Sequence, residues 1–288
     1  MRERLERDRK WGVRLALTGV LAFAGLIAAP AAMANTTKST NWAGYAVHRA
    51  GVSFRQVSGS WIQPSAMCVA GRPSYSSAWV GLGGYSPTSD ALEQIGTEVD
   101  CDASGQVVSS AWYELVPAPS KTISLAVRPG DAMHATVTVT DHRVVVELDD
   151  LTSHHPFRKT VRTDAIDVSS AEWIVEAPSQ CINQFACQAL PLADFGSVSF
   201  DSASALATDG TAGTIGGRAW ARTRIKLTAG AQALIVSRNS TDTPGSATPS
   251  ALRGDGSAFD VTYATASAQA RRASVARESR LRAGYIEH

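Results

Sequence analysis

The chain has 288 residues, 27 of them basic and 26 acidic, for a formal net charge of +1. Residues 1–34 hold 6 basic and 3 acidic side chains and residues 265–288 hold 5 and 2, so residues 35–264 carry 16 against 21. Positive charge confined to the two ends is not the basic folded face that a nucleic-acid partner requires, and none is expected.

In chain order, the first segment is basic, with Arg2, Arg4, Arg7, Arg9, Lys10 and Arg14. An apolar run over 15–29 follows, and then Ala32-Met33-Ala34, small residues of the kind a signal peptidase reads. The run is about 15 residues, short of the ~20 that cross a bilayer as a helix. A signal peptide over 1–34 is therefore expected. Its removal would leave a secreted protein without stable membrane association, built on one domain over 35–264. Four cysteines in an exported chain read as two disulfides with three possible connectivities. Cys181 and Cys187 are close enough to close a small loop, which would leave Cys68 with Cys101. No CxxC or HxxxH spacing supports a metal site, and no cofactor is implied.

Beyond residue 40 the pattern is period-two alternation punctuated by turn residues, with no long helical stretch. Strands are expected at 57–62, 77–82, 107–115, 122–127, 171–176, 197–200 and 233–237. Ala135, Val137 and Val139, then Val144, Val146 and Leu148, flank Asp141-His142-Arg143 as a hairpin. His154-His155 before Pro156 reads as a loop, and 239–257, rich in Ser, Thr, Pro and Gly, as a long surface loop. Residues 259–263 read as a last strand. The Ala-, Ser- and Arg-rich tail, 265–288, has too few large apolar residues to offset its ordering entropy and reads as disordered. The expectation is an all-β fold, a sandwich of two antiparallel sheets of the concanavalin or jelly-roll type with a concave substrate face.

In a strand over 171–176, Glu172, Ile174 and Glu176 share one face, while Ala171, Trp173 and Val175 point into a core. A glutamate on a strand face is ordinarily a solvated charge. The same holds for the polar residues of Leu92-Glu93-Gln94-Ile95-Gly96. Trp112 and Glu114 share a face as well, and tryptophans beside carboxylates suggest a groove for an extended peptide or sugar. No G-x-S-x-G elbow, H-E-x-x-H or D-[TS]-G motif is present.

Six segments, in order, resemble the glutamic peptidases (eqolisins). They are Asn41-Trp42-Ala43-Gly44-Tyr45, Ser77-Ala78-Trp79-Val80-Gly81, Leu92-Glu93-Gln94-Ile95-Gly96, Ala111-Trp112-Tyr113-Glu114, Pro129-Gly130-Asp131 and Ala171-Glu172-Trp173-Ile174-Val175-Glu176. Cys181–Cys187 falls where that family has a disulfide-closed loop. The resemblance implies a β-sandwich acid endopeptidase acting on polypeptide, with Glu176 as general base and Gln94 as oxyanion donor; a monomer is expected. Trp42, Trp79 and Glu114 would line its cleft, and Gly44 would allow close backbone approach. Glu93 faces opposite Gln94, and Glu172 lies a strand repeat from Glu176. Gly83 stands where the family commonly has an acid, and Asn41 leaves no room for a prosegment after residue 34, which suggests a shorter, bacterial-looking branch. The alternative is a non-catalytic lectin-like sandwich binding glycans or peptides. A glycosidase would need two carboxyls about 5–10 Å apart, such as Glu114 and Glu176.

Overall fold

Alternation of apolar and polar residues carries through most of the chain, and the computed structural model turns it into 18 strands among the residues it describes. It describes residues 35–183, 186–228 and 245–264, with the side chains of 181–183 and 186–188 set apart. The expected signal segment, the tail and the strand at 233–237 lie outside the described residues. Among those described there is no helix long and apolar enough to cross a membrane.

The first nine strands are β1 (Asn35–Ser39), β2 (Trp42–His48), β3 (Phe54–Ile62), β4 (Ser77–Gly83), β5 (Leu92–Cys101), β6 (Val107–Val116), β7 (Lys121–Ile123), β8 (Ala132–Thr140) and β9 (Arg143–Asp150). The others are β10 (His155–Arg162), β11 (Ser170–Glu176), β12 (Ser179–Asn183), β13 (Ala186–Ala189), β14 (Ser197–Ala207), β15 (Ala212–Thr214), β16 (Ala221–Leu227), β17 (Ser246–Pro249) and β18 (Phe259–Ala264). Sixteen join in one hydrogen-bonded sheet, along the path β10-β9-β8-β3-β14-β18-β17-β16-β2-β11-β4-β5-β6-β7 with β1 and β15 at its sides. Two separate antiparallel sheets were expected. The ladder instead runs on from one half to the other, and β1 pairs with β16 in parallel.

The sheet folds over so that β3, β8 and β9 pack on β4, β5 and β11. Inward residues of both halves form one core around Trp61, Trp173, Phe54, Phe200 and Phe259, all at most 2% exposed. Tryptophan is tolerated there because its N–H finds an acceptor. Trp173 Nε1 donates to the Ser58 carbonyl across the layers at 2.8 Å, and Trp61 Nε1 to Thr97 Oγ1 at 2.9 Å. Gly59 makes room, since a Cβ there would lie 2.8 Å from the Trp173 ring.

Three expectations are corrected. His155 opens β10, which pairs with β9 along its whole length. The expected 239–257 loop contains β17, whose Ser246, Ala247 and Pro249 are buried. The strand expected over 122–127 is the three-residue β7. Cys68 and Cys101 form a disulfide. Cys181 and Cys187 face each other in the β12–β13 ladder, and their side chains lie outside the described ones.

Candidate active site

The outer face of β2, β11, β4, β5 and β6 is a lattice of cross-strand rows. One row runs Trp42, Glu176, Ser77, Glu98, Ser110; the next Gly44, Ile174, Trp79, Gly96, Trp112; the third Ala46, Glu172, Gly81, Gln94, Glu114. The expected pair thus shares one face. Gln94 and Glu176 lie two rows apart, about 13 Å along the strands at the usual rise, and are bridged by the Trp79 indole. Its Nε1 donates to Glu176 Oε2 at 2.9 Å, and its far edge lies over Gly81, where a Cβ would be 3.0 Å from Cζ3. Gly81 is the direct partner of Gln94.

Glu176 is partly exposed, and both its oxygens are held. Oε1 accepts from Asn41 Nδ2 at 3.1 Å, and Asn41 is itself oriented by Ser39 Oγ donating to its Oδ1 at 2.9 Å. Burial and then the negative charge of Glu114 push the Glu176 carboxyl up to about 8, against the N–H donors of Trp79 and Asn41, which favour the ionised form. Desolvation wins, so Glu176 rests neutral throughout the acid range.

Gln94 is 4% exposed. Its Nε2 donates to Glu114 Oε2 at 2.7 Å, leaving one N–H of the amide for another acceptor. Gln94 Oε1 and Trp112 Nε1 are buried with no hydrogen-bond partner among the described residues. Burial raises Glu114, the hydrogen bond from Gln94 opposing it. Glu98, in the Glu176 row, is raised by burial and accepts from Ser110 Oγ at 2.9 Å. Asp100, two residues on, is raised to about 7 by burial and then by Glu98. The face is therefore an acid pool around an apolar strip of Trp42, Trp79, Leu92, Trp112, Ile174 and Ile225.

Of the four residues expected to line the cleft, Trp42 and Trp79 pack edge to face at 5.0 Å, and Glu114 holds Gln94. Gly44 does admit a close backbone approach. Its φ is +155°, and a Cβ there would fall 2.0 Å from the Trp173 carbonyl, so the backbone it admits is that of β11. At Gly83, φ +85°, a Cβ would lie 2.4 Å from the Asp167 carbonyl, so no acidic side chain fits here. Sequence reasoning missed Asn41 as the second support of Glu176; its place beside Trp42 in the first motif was the available signal.

Residues 40–244 match the Peptidase A4 family. The chain belongs to that family, the glutamic peptidases. Aspergillopepsin-2 of Aspergillus niger is 30% identical to this glutamic peptidase over 203 residues, 62% of this chain and 68% of that one. A crystal structure of scytalido-glutamic peptidase with a peptide-based transition-state analogue superposes with a TM-score of 0.61 at 22% identity, covering 78% of this chain and 98% of that one. SCP-B, an eqolisin in complex with the tripeptide Ala-Ile-His, gives 0.58 at 21%, with the same coverage. Aspergilloglutamic peptidase of Aspergillus niger gives 0.51 at 24%, covering 66% and 99%. Those structures share the fold of this glutamic peptidase.

Proposed function

We propose that the protein is an exported endopeptidase that hydrolyses extended polypeptide in the concave face of its folded sheet, a sandwich in its packing, with Glu176 and Gln94 as the working pair. The observation that carries this is the carboxyl of Glu176, anchored by Asn41 and Trp79 on the face where Glu114 fixes the Gln94 amide. The peptide complexes of the structural relatives support a polypeptide substrate.

In the acid range Glu176 enters the reaction neutral. As water attacks the peptide carbonyl carbon, one Glu176 oxygen takes a proton from water and the other gives its own to the carbonyl oxygen. The product is a neutral tetrahedral diol, and Glu176 is protonated as before. Its proton then goes to the leaving nitrogen as the C–N bond breaks, and a diol hydroxyl returns one to Glu176. The free N–H of Gln94 donates to the carbonyl oxygen as charge gathers there, a contact worth about 3 kcal/mol. A neutral Glu176 accords with the acid working range expected from the resemblance, and the reaction fades as the carboxyl ionises near 8.

The test is cleavage of a denatured protein at pH 3–5 by wild type, Glu176→Gln and Gln94→Ala. Wild type should cut, Glu176→Gln should be silent, and Gln94→Ala should fall by about 10²–10³-fold. Full activity in Glu176→Gln refutes the assignment, and binding without cleavage by wild type favours the lectin-like alternative.

A further inference from the structure

Three carboxyls that the reaction does not use lie at the Gln94 end of the sheet, in that row or just behind it. Glu172, on the cleft face of β11, and Glu93, on the opposite face of β5, are both fully buried. Neither Glu172 oxygen makes a well-formed hydrogen bond among the described residues, although the Ser170 hydroxyl lies near enough to oppose its rise, and Glu93 Oε2 has no partner there. Glu93 Oε1 accepts from the backbone N–H of Asp167, at 3.3 Å. Asp167, on the 163–169 connector, is the opposite case. It accepts from Ser89 Oγ, from Gly84 N at 3.1 Å and from Ser169 N at 2.8 Å. Those donors outweigh the burial that would raise it and hold it below the usual carboxylate range.

Asp167 thereby ties the connector to the 84–91 loop. Tyr85 packs on the apolar strip, stacks on His48 at 4.7 Å and donates to Thr223 Oγ1 at 3.0 Å. Other titratable groups turned toward this corner are few. β4 offers only Gly81, Leu82 and Gly83, and β2 offers His48, whose Nε2 is engaged with Thr223 Oγ1 and whose pKa burial lowers. Asp90, on the loop, is exposed. No Lys or Arg contributes to the titration of Glu93 or Glu172.

We propose that Glu93, Glu172 and Asp167 form a proton-operated clasp. With both glutamic acids neutral, the connector and the 84–91 loop close this end of the cleft; loss of their protons beside the fixed charge of Asp167 releases them. Burial pushes Glu93 up to about 8 and, with the charges of Asp167 and Glu93, holds Glu172 well above its ordinary value. A raised carboxyl stabilises the closed form fully below its open-state value near 4.5. That stability is lost as pH climbs to the closed-state value, about tenfold in the opening constant per pH unit and per group. For Glu93 alone this amounts to about 10³ between pH 5 and 8.

The clasp does not depend on the catalytic reading of Glu176, and its test is independent too. Hydrogen exchange of the Gly84, Asp167 and Ser169 amides would be followed from pH 5 to 9, corrected for chemical exchange rates, in full-length Glu176→Gln protein so that Glu176 does not titrate. Protection should fall by at least about 100-fold. Adding Glu93→Gln and Glu172→Gln, which mimic the neutral forms, should abolish most of that fall. Constant protection across the range, or an equal fall in the double variant, overturns the proposal. Should the double variant not fold, Glu93→Gln alone should make the fall shallower by about tenfold per pH unit between 5 and 8; an unaltered slope overturns it.

Discussion

Replacing Asn41 by Ala isolates the balance that sets the state of Glu176. The substitution removes an N–H donor 3.1 Å from Oε1 and leaves the Trp79 donor in place. A hydrogen bond to a charged group is worth about 1.5–3 kcal/mol, and a pH unit corresponds to about 1.4 kcal/mol. Loss of the donor should therefore raise the Glu176 titration by about 1–2 units, and by nearer 1 because part of the residue meets solvent. The neutral form persists further up the scale, so the alkaline limb of kcat/KM should move from about 8 to about 9. The assay is hydrolysis of an internally quenched peptide without ionisable side chains, from pH 4 to 10. Running it in the Glu93→Gln, Glu172→Gln background keeps the clasp out of the profile. Thermal melting at pH 5 checks that Ser39, left without its Asn41 acceptor, has not cost the fold. A limb that stays still or moves down refutes the account of Glu176.

Glu114→Gln should move the same limb the other way, because the charge opposing ionisation of Glu176 is gone. It should also lower kcat on the order of tenfold as Gln94 loses its charged anchor, less than removal of an oxyanion donor. Gly44→Ala should destabilise by about 3 kcal/mol or more in chemical denaturation, since its Cβ would meet the Trp173 carbonyl at 2.0 Å and neither backbone can retreat.

Most strands were legible because alternation marks a face against a core, as in the β8–β9 hairpin with Val137, Val139, Val144 and Val146 inward. β10 was missed because it is an edge strand with both faces largely wet, so His155, Arg158, Lys159 and Arg162 leave no apolar alternation to see. β17 is only Ser-Ala-Thr-Pro, buried by its neighbours and not by any hydrophobicity of its own. The join of the two halves into one ladder rests on single pairings such as Leu227 with Ala247, which no local pattern encodes. In the site, the shared face of Glu172, Ile174 and Glu176 follows from period two alone. Depth does not: Glu172 looked like an ordinary solvated charge and has no exposed surface. Gln94 and Glu176 were singled out by ordered motifs, and their separation by Trp79 became visible only through the register.

The charged margin of the sheet bears on how a peptidase survives its own company. An unpaired strand is an extended chain with free backbone groups, the form that a cleft for extended polypeptide would grip. Among the described residues β10 is hydrogen-bonded on one side only, and its outer rim carries Arg158, Lys159 and Arg162. Bulky hydrated cations spoil edge-to-edge stacking between copies, and Arg158 is fastened to Glu147 of the neighbouring strand. β11, which holds Glu176, is hydrogen-bonded to β2 on one side and β4 on the other. Self-digestion should therefore begin in the segments between strands, leaving the strand that bears Glu176 among the last to be cut.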